Sequence, residues 1–231
     1  MSAVLCVFPA PARTPGALAG IEGVVPASRL EVRPQPRTIL TGIASVDELI
    51  GGIPRGGLTE IFGPASSGRT SLLVSILAAA TERQEICALV DAEDSFDPVS
   101  AEAAGVRLDR LLWIRCSHNT EHALKAADLL TQGGGFGLVA MDLGDTPPRT
   151  ARRISLTSWF RLRRAVENTP TVLVTVAQQS NAKTCATLML KCAREHATWS
   201  GGKPLFQGMR VRSIVSRRRI VCTPVFTATA I

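Results

Sequence analysis

Five short apolar runs punctuate the chain, at Leu58 to Phe62, Ile86 to Val90, Leu111 to Ile114, Phe136 to Asp142 and Thr171 to Ala177. Stretches with helical character separate them, at Arg69 to Thr81, Pro98 to Ala104, Glu121 to Thr131 and Ile154 to Glu167. A strand that is apolar along its whole length has no face to offer water, so both of its faces must be covered. Alternation with helices therefore predicts an α/β fold with a mostly parallel central sheet flanked by helices. After Gln179 the pattern changes: Ala186 to Ala193, Met209 to Ser216 and Ile220 to Phe226 follow one another with no helix between them, which predicts antiparallel strands at the C-terminal end. The remaining organisation is simple. Residues 1 to 40 hold six prolines and read as an extended Pro-rich N-terminal arm, residues 41 to 231 as one core domain, and there is no internal repeat.

The first predicted strand, LTEIF, runs into Gly63, Pro64, Ala65, Ser66, Ser67, Gly68, Arg69, Thr70 and Ser71, and this stretch opens the predicted helix TSLLVSILAAA. A glycine-rich turn between strand and helix lets backbone N–H groups and a helix N-terminus converge on phosphate oxygens. Gly63, Pro64, Ser66, Ser67, Gly68, Arg69, Thr70 and Ser71 are thus the candidate nucleotide-binding residues; the plain alternative is an ordinary strand-to-helix turn. Position 69, where such loops carry lysine, carries arginine. A phosphate site also needs a strand ending in a carboxylate that can hold Mg²⁺, and FGLVAMD supplies Asp142.

Charge is unevenly distributed. Residues 1 to 40 carry 4 basic and 2 acidic side chains, 41 to 146 carry 7 and 15, and 147 to 231 carry 15 and 2, giving balances of +2, −8 and +13. A basic C-terminal third points to a nucleic-acid face, a docking surface for an acidic partner, or a solvated basic surface. Six cysteines with no CxxC pair read as reduced residues of a cytoplasmic protein, with Cys87 and Cys192 in strands. The N-terminal AVLCVFPAPA is too short an apolar run for a signal peptide, and nowhere do 18 apolar residues run uninterrupted, so no membrane span is expected.

Taken together, TGIASVDELIGGIPRGGLTEIFGPASSGRTS, LVDAEDSFDP with AAGVRLDRLLWIR, the Asp142 strand and VLVTVAQQ resemble the ATPase core of RecA-type recombinases from about Thr41 to Gln179. The resemblance implies ATP and Mg²⁺ as cofactors. It implies Glu93 as the residue that activates the attacking water, Thr70 and Asp142 as metal ligands, Gln178 as the sensor of the terminal phosphate and Asp97 as an adenine-side contact.

The departures are equally informative. Arginine keeps its charge, but its planar fork is bulkier than an ammonium and does not simply replace it between phosphate oxygens, so hydrolysis weakens before binding is lost. At Ser100 the recombinases carry an aromatic that stacks on adenine, whereas a hydroxyl offers no such platform. After Gln178 only QSNAKTCA precedes the next strand, so the loop that grips single-stranded DNA is shortened and lacks an aromatic for base stacking. The arm lacks a clear amphipathic helix of the kind that links protomers. With the ending LMLKCAREHATW…GMRVRSIVSRRR, this pattern most resembles the ImuA group of RecA-related proteins. That resemblance implies an accessory role in damage-induced mutagenesis with weak or absent ATP turnover. The implied partners are an inactive Y-family polymerase homologue, an error-prone replicative-type polymerase, a RecA protomer and non-specifically bound single-stranded or duplex DNA. The alternatives are an active ATP-dependent strand-exchange or filament-remodelling enzyme and a KaiC-like signalling ATPase.

Arg149, Arg152 and Arg153 in GDTPPRTARRIS are available for DNA phosphates. Arg217, Arg218 and Arg219 read equally as a solvated turn or a phosphate-contacting cluster. His118, Glu121 and His122 match the HxxEH metal pattern, but Thr120 followed by EHALKAADLL reads better as a helix cap and first turn. Trp159 and Phe160 read as the buried stripe of an amphipathic helix, with a partner-binding role as the alternative.

Overall fold

The computed structural model describes residues 37–199, 206–215 and 225–229. The arm up to residue 36 and Arg217, Arg218 and Arg219 lie outside them. A short antiparallel pair, β1 (Thr38–Ile39) with β2 (Ile53–Pro54), brackets helix α1 (Ala44–Ile50). There follow β3 (Leu58–Phe62), α2 (Arg69–Glu82), β4 (Cys87–Asp91), α3 (Pro98–Ala103), β5 (Leu111–Arg115), α4 (Thr120–Gly133) and β6 (Leu138–Leu143). The rest comprises α5 (Pro148–Ala151), α6 (Leu156–Val166), β7 (Val172–Ala177), β8 (Leu188–Trp199), β9 (Phe206–Val215) and β10 (Val225–Thr229).

The main sheet has eight strands in the order β10-β9-β8-β3-β7-β6-β4-β5. All pairings from β8 to β5 are parallel, and β9 and β10 are antiparallel, as the apolar runs and the helix-free ending require. The last strand lies at Val225–Thr229 rather than Ile220 to Phe226, and residues 216–224 fall outside the described set. Side chains alternate between two cores. Leu89, Ala140, Val174 and Ile61 face Leu72, Leu73, Ile76 and Leu77 of α2. Val90, Val139, Leu173 and Leu58 face Ala123 and Ala127 of α4 and Trp159, Leu162 and Val166 of α6. Burying each such aliphatic side chain contributes about 1.5–3 kcal/mol, which is why a run apolar at every position needs a layer on each face. The pair expected to be buried together splits: Trp159 is fully buried, while Phe160 is 44% exposed. At the head of α4 the cap is Asn119, whose side chain accepts from Glu121 N and His122 N at 3.0 Å, one residue before the expected Thr120.

The route from β7 to β8 is unusual for parallel strands. Both flank β3, yet they are joined by residues 178–187 with one short 3-10 turn at Lys183–Cys185 rather than by a full helix. A non-helical crossover carries backbone donors that must find acceptors once buried. Glu60, fully buried in the middle of β3, supplies them: it accepts from Ala182 N at 2.8 Å, from Asn181 N and from Ser180 Oγ at 2.7 Å.

Glu60→Ala should therefore lower the unfolding free energy by about 3 kcal/mol or more, because three donors lose their acceptor at about 1–3 kcal/mol each. Phe160→Ala, on an exposed face, should stay within about 0.5 kcal/mol. Urea denaturation checks both; a Glu60→Ala variant as stable as the parent would contradict the role assigned to the carboxylate.

Candidate functional site

The strand ends at the carboxyl edge of the sheet, where ligands of open α/β sheets bind, bring together the glycine loop, Glu93, Asp142 and Gln178. Phe62 pairs with Ala177 beside the start of the glycine loop, and Asp91 pairs with Asp142, which pairs with Val176. The loop after β3, the loop after β4 with Glu93, the loop after β6 and Gln178 just past β7 therefore share this edge.

Gly63 and Gly68 are fixed by packing as well as by their motif. A Cβ on Gly63 would lie 2.3 Å from the Cys192 carbonyl oxygen, and one on Gly68, where φ is +84°, would lie 2.4 Å from Val211 Cγ2. Both neighbours belong to the β8–β9 hairpin, which continues past the four residues that pair with β3 and packs against the loop. The close approach of chain to chain accounts for glycine at both positions.

Arg69 decides what the loop can do. Its side chain is buried, with the residue 4% exposed, and it does not project from the loop. Nη1 donates to the Gly63 carbonyl at 3.0 Å and to the Pro64 carbonyl; Nη2 donates to the Gly144 carbonyl at 2.7 Å and reaches Asp145 Oδ1 at 3.4 Å. Nε is buried and has no hydrogen-bond partner among the described residues. The guanidinium thus stitches the glycine loop to the loop after β6, using a fork that a lysine lacks. Ser67 is buried, while Pro64, Ser66, Thr70 and Ser71 are exposed.

Asp142 is 8% exposed and accepts from Gly144 N at 2.7 Å. Burial pushes its carboxyl up to about 6; the Gly144 N–H and the Arg69 charge oppose the shift, and Asp91 and Asp145 reinforce it. Glu93 has both oxygens engaged: Oε1 accepts from Thr146 Oγ1 at 2.8 Å, and Oε2 lies 2.8 Å from His118 Nδ1. That hydrogen bond is the main reason the His118 pKa is raised. Asp91 holds the segment after β4 in place by accepting from Ser95 N at 3.2 Å and Phe96 N at 2.9 Å, while Trp113 Nε1 donates to it at 3.3 Å. Asp97 caps α3 through Val99 N and Ser100 N, and the Ser100 hydroxyl turns onto it. Gln178 is half-buried. Arg149, Arg152 and Arg153 are all exposed, and Arg152 Nη2 donates to Gln179 Oε1.

The residues expected to hold ATP and Mg²⁺ fit that group in backbone shape but not in side-chain disposition. The donors that would meet phosphate oxygens from Arg69 are committed to three carbonyls of the chain itself, so no hydrolytic step follows from this arrangement. His118, Thr146, Gly144 and Glu60 were not singled out for these contacts in the sequence. Glu60 alone left a signal, as a carboxylate in the middle of an apolar strand.

Comparison with known proteins bears on the same region. A family model described as the RecA N-terminal domain matches residues 26–148, more than half of the chain. The chain is 34% identical over 167 residues to Protein RecA of Deinococcus radiodurans, covering 65% of this chain and 45% of that protein. It is 41% identical over 107 residues to Protein RecA of Colwellia psychrerythraea, covering 46% of this chain and 31% of that protein. The chain thus spans less than half the length of these curated relatives.

The raised Asp142 pKa has a direct consequence for stability. Without divalent metal, the folded chain keeps the Asp142 proton between about pH 4 and pH 6 where the unfolded chain has lost it. The contribution is fully present below about pH 4 and is lost as pH rises through about 6, a change of roughly 3 kcal/mol at most. Asp142→Asn keeps an acceptor for Gly144 N–H, so it should flatten that slope and exceed the parent in stability at pH 7.5. Parallel denaturation profiles for the two proteins from pH 4 to pH 8 would contradict the assignment.

Proposed function

The chain belongs to the RecA family, and we propose that within it the protein is a non-filamentous accessory member that serves as an adaptor in DNA-damage-induced mutagenesis. Its partners in this reading are an inactive Y-family polymerase homologue and an error-prone replicative-type polymerase, with DNA bound non-specifically through exposed arginines such as Arg149, Arg152 and Arg153. Turnover of ATP is weak or absent. The observation that carries the reading is the Arg69 guanidinium, bonded to the carbonyls of Gly63, Pro64 and Gly144. A triphosphate entering the loop competes with these charge-assisted hydrogen bonds, each worth about 1.5–3 kcal/mol. Glu93 adds support, since its two oxygens are held by Thr146 and His118.

The adaptor reading places the working surfaces away from the crevice. The segment from Asp142 to β7 is rich in exposed arginines, and the crossover from β7 to β8 is short and held down by Glu60. Recombinase polymers are heterologous head-to-tail assemblies, in which each protomer offers an adhesive element to a groove on the next. Residues 1 to 40, with six prolines and no sustained helical periodicity, offer little for a docking helix.

Three measurements test this. Steady-state ATP hydrolysis with and without single-stranded DNA should be at background and unchanged by Glu93→Gln. Arg69→Lys should raise the affinity for labelled ATP with Mg²⁺ by about 5-fold or more, since lysine cannot make the three-carbonyl clasp. Electron microscopy with single-stranded DNA and a non-hydrolysable ATP analogue should give discrete particles. Regular helical filaments, or hydrolysis that depends on Glu93, would replace the adaptor with an active strand-exchange enzyme.

A further inference from the structure

Helix α6 turns its buried stripe, Trp159, Leu162 and Val166, to the core and leaves a second stripe at i, i+4 spacing on the surface: Leu156 is 45% and Phe160 44% exposed. Arg164, one further turn on, is exposed as well. Between Pro148 and Val166 the chain carries six arginines and no acidic residue. Few of these charges are compensated. Arg161 pairs with Asp128 at 3.1 Å, and among the described residues the Arg152 side chain meets only the neutral Gln179 side chain. The side chains of Arg153 and Arg164 make no hydrogen bond or ion pair among the described residues. Ile154 and Ser155, at the start of this helix, separate two clefts. One, about 610 Å³, runs toward α4 past Arg153, Ser158 and Lys125; the other, about 280 Å³, runs toward the crossover past Arg152 and Asn181.

We propose that this ridge is a docking site for an acidic, amphipathic peptide segment of a partner protein, with an apolar side chain of the segment lying along Leu156 and Phe160 and its carboxylates on Arg153 and Arg164. The occupant follows from two features together. Uncompensated arginines select negative charge. An exposed leucine–phenylalanine stripe selects apolar side chains, which a phosphodiester backbone does not supply and which leucine cannot replace by base stacking. The chain's own N-terminal arm is not complementary, because residues 1 to 36 carry three basic and two acidic side chains. The proposal rests on the adaptor reading for its biological sense, but the surface can be tested by itself.

The probe is a display library of random 16-residue peptides, selected on the full-length protein and counter-selected on the double variant Leu156→Ala/Phe160→Ala. Both substitutions are on exposed side chains, so unchanged circular dichroism and melting temperature should accompany them. The expected result is enrichment of sequences rich in Asp and Glu that carry leucine, phenylalanine or tryptophan. A fluorescent copy of an enriched peptide should bind at least ~10-fold more weakly to the double variant, the scale of losing interface anchors. Arg153→Glu/Arg164→Glu should weaken it as well. Enriched peptides that are not acidic, or that bind both forms equally, would overturn the proposal. So would a thirty-residue oligothymidylate that loses as much affinity as the peptide in the Leu156→Ala/Phe160→Ala protein, which would make the ridge a nucleic-acid face. The adaptor reading fails independently, through filaments or Glu93-dependent ATP hydrolysis, and that result leaves the peptide measurement standing.

Discussion

One buried guanidinium organises the crevice of this protein. Arg69 reaches back from the first turn of α2 to the carbonyls of Gly63 and Pro64 and across to that of Gly144, so that two loops from different strands share a single cation. A lysine ammonium at this position is a flexible point charge, whereas the guanidinium is a rigid planar fork able to serve acceptors on several sides at once. The buried Gly63 and Gly144 carbonyls, which would otherwise need water or a ligand, are thereby satisfied from within the chain. The loop keeps the outline of a phosphate cradle while the side chain that should face the phosphate faces the protein.

Much of the surrounding architecture is consistent with a crevice that holds its shape unaided. Gly63 and Gly68 lie against Cys192 and Val211 of the β8–β9 hairpin, so the hairpin holds the loop as well as the Arg69 contacts do. Asp91 and Asp97 are spent on backbone amides of the segment that follows β4. Glu60 holds the crossover to β8, and at the start of that crossover Gln179 accepts from Arg152. Glu60, Asn181, Gln179 and Arg152 thus form a chain of hydrogen bonds from the glycine loop's own strand to the edge of the arginine-rich ridge on α5 and α6.

The parallel sheet was legible in the sequence because a strand covered on both faces, such as LVAMDL or VLVTVA, is apolar at all but one position and does not alternate as a half-exposed one does. The glycine loop and Asp142 were legible from order and spacing, and Glu93 only through the resemblance to the recombinases. The direction of the Arg69 side chain was not, because it depends on a carbonyl 75 residues away at Gly144. His118 illustrates the same limit. Local spacing associates it with Glu121 and His122, yet its partner is Glu93, brought near by the pairing of β4 with β5. Glu60 could have been noticed as a lone acid in LTEIF, but its three donors lie on the far side of β7 in sequence, around position 181. Trp159 and Phe160 are adjacent in sequence and 100° apart around the helix, so only one of them could reach the core.

The most direct test of this account is a crystal structure of the protein grown with Mg²⁺ and a non-hydrolysable ATP analogue at millimolar concentration. The account predicts that the Arg69 guanidinium stays within hydrogen-bonding distance of the Gly63, Pro64 and Gly144 carbonyl oxygens. An Arg69 side chain turned outward onto a β- or γ-phosphate, with Thr70 and Asp142 around a magnesium ion, would contradict it.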